Sequence, residues 1–225
     1  MIKRVIHFIV TGFIHVVLNI LCRVDASELV KLPEKGPCLL VTNHVNFLEV
    51  PLIYTCVQPR VVHSLIKIET WKNPLLRFLA GIWHAIPIKR GVSDFSAFSA
   101  AEKVFQNNGI LIMAPEGTRS KTGILQRGHA GAVLLAVHNH VPVYPLVHTG
   151  GEKLYENLKK FRRTRFTFHV GRPFFIDTRG EKLDSALRGK LTAQLMCRIA
   201  ALLPEDKRGH YADENLENTP NLINA

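Results

Sequence analysis

The chain has 225 residues, of which 47% are hydrophobic, and its 29 Lys and Arg against 18 Asp and Glu leave a formal net charge of +11. This length and hydrophobic content suffice for one sizeable core and are short for two independent domains. The charge favours an anionic partner: a nucleic acid, an acidic membrane surface or a phosphorylated substrate. The four cysteines form no C-x-x-C pair or zinc-like cluster, which argues against a disulfide framework or a structural metal site and favours a reducing compartment.

Residues 1–24 predict a membrane-associated helix. An almost unbroken apolar stretch runs from Val5 to Cys22 between basic residues, and it is close to the length that crosses a bilayer. Its polar interruptions recur every fourth residue along one slowly drifting stripe of a helix, at His7, Thr11, His15 and Asn19. A cleaved signal peptide and a buried core helix are the alternatives. We expect this helix to associate with the membrane, and to lie in the interface in preference to spanning the bilayer. The anionic partner is therefore expected to be lipid and not nucleic acid.

From Glu34 onward, short apolar runs alternate with amphipathic ones. Strands are predicted at 38–42, 61–67, 85–89, 110–115, 141–147 and 165–171. A first helix is predicted to follow the 38–42 strand and to end near 58–59, and a second is predicted around 71–83. Three more are predicted: one from Ser93 or Asp94 to 107–109, one at 129–140 and one at 182–203. The alternation predicts an α/β fold with a mixed, largely parallel sheet flanked by helices. This domain covers residues 25–204, and the polar tail at 205–225 is expected to be loosely held.

Four loops follow predicted strands, at the edge where parallel sheets bind ligands. They read TNHVNFLE (42–49), PIKRG (87–91), APEGTRSKTG (114–123) and VPVYPL (141–146). In order and spacing they resemble the four sequence blocks of the glycerolipid acyltransferases, the family that includes 1-acylglycerol-3-phosphate acyltransferase. PEGTRS is the most specific element. The resemblance covers about half of the chain, from Leu39 to Leu146.

The first block of that family reads NHxxxxD, and the resemblance implies that His44 is the general base and that a carboxylate orients it. Glu49 stands where the family has aspartate. Residues five apart on a helix are rotated by about 140°, so His44 and Glu49 can meet only if the chain turns between them. Asn46, three residues before Glu49, predicts that turn as a helix N-cap with a capping-box partner. The structural alternative is that Glu49 only satisfies a backbone N–H and His44 is a loop histidine.

The other blocks imply an anion site. By resemblance, Arg90 and Arg119 contact the phosphate of the acceptor, and Glu116 and Gly117 bind and position that acceptor. Thr118 adds a hydrogen-bond donor. The structural alternatives are a solvated basic pair at a strand end and a tight polar loop. The fourth block receives no specific role, and the histidines outside the blocks, including His148, are expected to be structural or to lie on the surface.

The resemblance therefore implies a membrane-bound lysophospholipid acyltransferase at the cytoplasmic face of the cell membrane. It would move a fatty acyl chain from acyl-CoA or acyl carrier protein to the hydroxyl of a lysophosphatidic-acid-like acceptor, without a metal or bound cofactor. Two alternatives stay open. One is an acyltransferase for a different lipid acceptor, which the glutamate at position 49 favours, and the other is a catalytically weak lipid-binding protein with the same fold.

Overall fold

The computed structural model of the chain describes residues 2–89 and 94–225. Within these residues the strands are β1 (Cys22–Asp25), β2 (Cys38–Val41), β3 (Val62–Lys67), β4 (Ile86–Ile88), β5 (Ile110–Met113), β6 (Val143–Thr149), β7 (Thr164–Val170), β8 (Phe174–Ile176) and β9 (Leu222–Asn224). The helices are α1 (Ile2–Leu21), α2 (Glu49–Cys56), α3 (Pro74–Ile82), α4 (Phe95–Gln106), α5 (Gly131–Asn139), α6 (Leu154–Lys159) and α7 (Ser185–Ala200).

The strands form one mixed sheet. Its main order is β1-β7-β6-β2-β5-β3-β4, with β8 paired to β6 and β9 paired to β8. The pairs β1–β7, β2–β5, β2–β6, β3–β4 and β3–β5 are parallel, whereas β6–β7, β6–β8 and β8–β9 are antiparallel. This confirms the predicted α/β fold with a mixed, largely parallel sheet.

Helices cover both faces of the sheet, and the central strand shows why its sequence is apolar throughout. All four residues of β2 are at most 1% exposed. Leu39 and Val41 pack into the cluster that includes α5 and α7, while Cys38 and Leu40 pack into the opposite cluster with α2 and residues of α1. Successive side chains of a strand point to opposite faces, so a strand covered on both sides alternates between two cores and needs apolar residues at every position.

The register of β2 with its two neighbours positions the loops that carry the sequence blocks. Val41 lies opposite Met113 of β5 on one side and opposite Pro145 of β6 on the other, and all three strands run in the same direction. The chain therefore leaves β2, β5 and β6 at the same edge of the sheet. This places the 42–49 loop between the 114–123 loop and the end of β6.

The helix predicted at the N-terminus is α1, and its apolar face points outward. Thr11 is 4% exposed and accepts a hydrogen bond from the Trp83 indole N–H (3.2 Å), while His7 Nδ1 donates to the Ile82 carbonyl (3.1 Å). The outward face carries large apolar side chains that are 58–79% exposed: Phe8, Ile9, Phe13, Val16 and Ile20. In the part of the chain that the structure describes, none of the helices combines the length and apolar character needed to span a bilayer.

The polar C-terminal tail differs from its prediction. It was expected to be loosely held, but β9 extends the sheet through β8, and Tyr211 is 5% exposed and accepts a hydrogen bond from the Gly128 N–H (3.2 Å). Asn221, 1% exposed, exchanges hydrogen bonds with Gln194 of α7 (3.0 and 3.2 Å). The expectation of loose attachment is wrong because a few buried side chains anchor a segment whose average composition is polar.

Candidate active site

The loop after β2 is fixed to the end of β6 by a pair of reciprocal hydrogen bonds. The Asn43 side chain donates to the His148 carbonyl and accepts from the His148 backbone N–H, both at 2.9 Å. Asn43 is 3% exposed, so its amide is buried away from solvent. Buried amides that satisfy both their donor and their acceptor are rigid positioning groups. The first residue of the NH dipeptide therefore holds the loop while the second projects into the site.

Asn46 turns the chain as the sequence predicted, but the prediction that it is the helix N-cap is wrong, because the turn lies just before the helix. The Asn46 Oδ1 accepts from the Leu48 N–H (2.8 Å), and Glu49 Oε2 accepts from the Asn46 N–H (3.2 Å). The first bond closes an Asx turn, because its donor is Leu48 and not Glu49, and the second is the glutamate half of a capping box. Helix α2 begins at Glu49 itself, and its N-cap residue, Leu48, makes no side-chain cap bond. The bonds therefore stabilise the loop that precedes the first turn of α2.

This turn brings His44 and Glu49 together. Glu49 Oε1 contacts His44 Nδ1, and Oε2 accepts from the Val45 N–H (2.9 Å) in addition to the Asn46 N–H. The Glu49 side chain is 2% exposed, whereas that of His44 is 12% exposed. The carboxylate is therefore buried behind the imidazole, and only the histidine reaches the surface of the site.

The charge state of Glu49 determines which nitrogen of His44 carries the proton. Burial alone raises the pKa of the Glu49 carboxyl, but the imidazoles of His148 and His44 more than offset burial and lower this pKa to about 2. An ionised carboxylate only accepts hydrogen bonds, so His44 Nδ1 must be the donor. In a neutral imidazole this leaves Nε2 with a free lone pair. His44 thus has the arrangement of a general base that is oriented by a carboxylate.

The PEGTRS loop holds the backbone of His44 from the other side. Glu116 Oε1 accepts from the His44 N–H (2.6 Å), and the Ser120 N–H donates to the His44 carbonyl (2.7 Å). Glu116 Oε2 also accepts from the Gln126 N–H (2.9 Å). Burial raises the pKa of Glu116, against the lowering effect of these backbone N–H groups, and the residue is 2% exposed. In this structure the carboxylate of Glu116 positions the histidine.

The next residues of this loop face outward. Gly117 has a φ of +68°, and a Cβ there would lie 3.1 Å from Cδ2 of His129, so a side chain would be both strained and crowded. Thr118 and Arg119 are exposed, beside the backbone that contacts His44. Arg90, the other predicted phosphate ligand, lies outside the described residues.

One residue of this cluster was not predicted from the sequence. His148 is fully buried, with a side chain that is 0% exposed, and its Nε2 lies 2.8 Å from Glu49 Oε2. The sequence carried no local signal for it, because it stands 99 positions after Glu49 and two residues beyond the fourth block. Only the parallel pairing of β2 with β6 brings the two side chains together.

Known acyltransferases are similar to this chain in sequence. The model of the Acyltransferase family matches residues 23–149. The human 1-acyl-sn-glycerol-3-phosphate acyltransferase beta is 26% identical over 141 residues, which are 62% of this chain and 51% of that protein. The 1-acyl-sn-glycerol-3-phosphate acyltransferase of Limnanthes alba is 31% identical over 119 residues, 52% of this chain and 42% of the relative.

A solved structure shares the fold. The crystal structure of the 1-acyl-sn-glycerophosphate (LPA) acyltransferase PlsC from Thermotoga maritima superimposes with a TM-score of 0.63 at 20% identity, covering 89% of this chain and 79% of that one. The family model extends over more than half of the chain and includes the 42–49 and 114–123 loops. The chain belongs to the acyltransferase family. Its relatives include named 1-acyl-sn-glycerol-3-phosphate acyltransferases, and it spans about half the length of the human and Limnanthes alba proteins.

Proposed function

We propose that the protein is a membrane-associated lysophospholipid acyltransferase that moves a fatty acyl chain from an acyl thioester to the hydroxyl of a lysophosphatidic-acid-like acceptor. The observation that carries this proposal is the His44–Glu49 pair at the end of β2, with the carboxylate buried and the imidazole reaching the surface. The family and the named activities of the relatives support it.

The chemistry requires a base at this position. A lipid hydroxyl is a poor nucleophile unless its proton is removed as the new ester bond forms, and a neutral imidazole does this near neutral pH. In the proposed step, His44 Nε2 takes that proton while the acceptor oxygen attacks the thioester carbonyl. Glu49 stabilises the resulting imidazolium through Nδ1. The tetrahedral intermediate then expels the thiolate, which takes the proton from His44 Nε2 and leaves as the free thiol, so the base is regenerated and the acyl chain remains on the acceptor as an ester.

The acceptor's phosphate would bind beside this base. Arg119 offers a planar guanidinium that matches phosphate oxygens, and Thr118 offers a hydroxyl donor. Both are exposed on the loop whose neighbouring residues, Glu116 and Ser120, hold the backbone of His44. Arg90 is proposed as a second phosphate ligand from the family resemblance alone.

The membrane partner is proposed from the outward face of α1. Its exposed aromatic and aliphatic side chains form an apolar surface of the kind that lies in a bilayer interface. A second element supports this orientation: the turn KKFRR (159–163) carries Phe161, which is 100% exposed among cationic neighbours. Arg163 joins the turn to the end of α1 by donating to the carbonyls of Asn19 (2.6 Å) and Cys22 (2.7 Å). Apolar and basic groups at adjoining positions suit an anionic lipid surface, and we propose the cytoplasmic leaflet.

The test is an acyl-transfer assay with a panel of acceptors. Purified protein receives a radiolabelled acyl chain as a thioester of CoA or of acyl carrier protein. The acceptor is lysophosphatidic acid or a lysophospholipid with a larger head group. We expect transfer to lysophosphatidic acid that is abolished in His44→Ala and retained in His138→Ala, a surface histidine that is also paired with a glutamate. Absence of His44-dependent transfer to any acceptor would refute the enzymatic function. His44-dependent transfer only to other acceptors would replace the proposed substrate.

A further inference from the structure

The buried histidine beside Glu49 takes no part in the proposed acyl-transfer step. His148 sits on β6 with both backbone groups bonded to the Asn43 side chain, and its ring packs against Phe166 and Phe168, with ring centroids 6.2 Å away in each case. Its Nε2 is 2.8 Å from Glu49 Oε2, an ion-pair distance whose alignment falls short of a hydrogen bond, and its Nδ1 has no hydrogen-bond partner among the described residues. A fully buried imidazole of this kind costs free energy unless a charged neighbour compensates it.

Glu49 is that neighbour, and its length allows it to contact two histidines at once. Oε1 contacts the Nδ1 of His44, and Oε2 faces the Nε2 of His148. Because the carboxylate is ionised, the nitrogen that faces it must carry a hydrogen in each ring. An aspartate on the same backbone is shorter by one methylene, so its carboxylate would be withdrawn from the two rings. The contact with His148 therefore requires the length of a glutamate at position 49, and the buried His148 in turn requires that carboxylate beside it.

We propose that His148 is a positioning residue for the acyl-transfer reaction: it clamps the carboxylate of Glu49 from behind, so that Oε1 stays directed at His44 Nδ1. The side chains form a row, His44–Glu49–His148, in which only His44 reaches the surface. His148 does not touch the substrates in this arrangement, so its loss weakens the orientation of the base and leaves substrate binding in place. This role rests on the proposed function, because it acts through the proposed general base.

The kinetic test uses two replacements of His148 with opposite expectations. His148→Gln keeps an N–H donor at about the reach of Nε2, whereas His148→Phe keeps the ring packing with Phe166 and Phe168 and loses the donor. We expect His148→Phe to lower kcat by about tenfold or more with little change in the KM for the acceptor, and His148→Gln to stay within about threefold of wild type. The matched control is His138→Phe, which removes a histidine that is also 2.8 Å from a glutamate oxygen, on Glu102, but lies at the surface.

A double-mutant cycle then tests whether His148 acts through Glu49. Residues in direct contact deviate from additivity by about 0.5 to 3 kcal/mol, which is a factor of about 2 to 160 in rate. We expect Glu49→Asp to cost several-fold more kcat in wild type than in the His148→Phe background. Additive effects, or equal kcat in the Phe and Gln variants, would overturn the proposal and leave His148 as a packing residue.

A measurement without turnover separates this proposal from the proposed function. In protein labelled with ¹⁵N at histidine, Glu49→Gln is expected to shift the imidazole nitrogen signals of both His44 and His148, whereas Glu102→Gln shifts those of His138 only. If wild type transfers no acyl chain but Glu49→Gln moves both signals, the proposed function fails and the contact stands. If wild type is active and the His148 signals do not respond to Glu49→Gln, the role of His148 is refuted.

Discussion

The replacement Glu49→Gln separates the charge of the central carboxylate from its shape. Glutamine fills the same volume, and its amide oxygen can still accept from the Val45 and Asn46 N–H groups that bond Oε2 in the wild type (2.9 and 3.2 Å). Its NH2 group then faces His44 Nδ1, so the imidazole must present a lone pair there and carry its proton on Nε2. This is the wrong tautomer for a base, and the analogous change in a Ser-His-Asp triad lowers kcat by about 10⁴. We expect a loss of about 10³ to 10⁴ in acyl transfer.

The same replacement has a calculable effect on stability. The folded protein lowers the Glu49 pKa from 4.5 to about 2. At about 1.4 kcal/mol per pKa unit, the ionised form contributes at most roughly 3 to 4 kcal/mol to the free energy of unfolding. Because the folded pKa is the lower one, this contribution is complete above pH 4.5 and is lost as the pH falls toward 2.

Urea unfolding and initial rates measure the two effects side by side. We expect Glu49→Gln to unfold more easily than wild type at pH 7 and the difference to shrink between pH 4.5 and pH 3, while Glu102→Gln behaves as wild type in both assays. If Glu49→Gln kept the wild-type kcat and lost only stability, Glu49 would be an acceptor for the loop N–H groups and not an orienting residue. That result would refute the proposed role of Glu49 as the carboxylate that orients His44.

Further replacements test the rest of the site and the proposed membrane face. Glu116→Gln places an amide where the carboxylate accepts from two backbone N–H groups, and we expect a loss of about 1 to 3 kcal/mol in urea unfolding together with a lower kcat. Gly117→Ala puts a side chain at a φ of +68°, and thermal unfolding should show a destabilisation of about 1 to 2 kcal/mol. Arg119→Ala should raise the KM for a phosphate-bearing acceptor about tenfold or more, with Arg119→Lys intermediate; an unchanged KM would remove it from the phosphate site. Phe13→Asp, on the outward face of α1, should reduce co-sedimentation with anionic vesicles and leave the melting temperature unchanged; equal sedimentation would contradict the proposed membrane face.

The strands of the sheet could be predicted from the sequence wherever a run of apolar residues was bounded by turn-forming or capping residues. The strand at 110–113 is a run of four apolar residues after Asn-Asn-Gly, and the helix before it begins after Asp94, whose side chain accepts from the Ala97 N–H (3.1 Å). β1 was not predictable in this way. Its sequence, CRVD, carries two charges in four residues and forms a strand only because β7 pairs with it. Pairing between distant segments leaves no local pattern to recognise.

The candidate site could likewise be predicted only where its contacts are local in sequence. The contacts between His44, Asn46 and Glu49 depend on residues within one loop, so a turn residue at the right spacing was enough to propose them. The family resemblance assigned Glu116 to the acceptor, but its carboxylate is bonded to the His44 and Gln126 N–H groups. The bonds that join His44 to Glu116 and Asn43 to His148 depend on strand register instead. They link residues 72 and 105 positions apart, so local spacing does not predict them.

The sequence left two interpretations of Glu49 open, and the contacts that each of them requires are present together in the structure. Its Oε2 serves the loop by accepting from Val45 and Asn46, and its Oε1 contacts the proposed base. The loop bonds fix the carboxylate, and the fixed carboxylate fixes the tautomer and direction of His44. The carboxylate of this glutamate is held by the loop N–H groups and by His44, so the side chain is constrained at its far end as well as at its backbone. This constraint offsets the rotamer freedom that the extra methylene adds. The longer side chain is therefore compatible with a well-oriented base, provided that the groups around Oε2 stay in place.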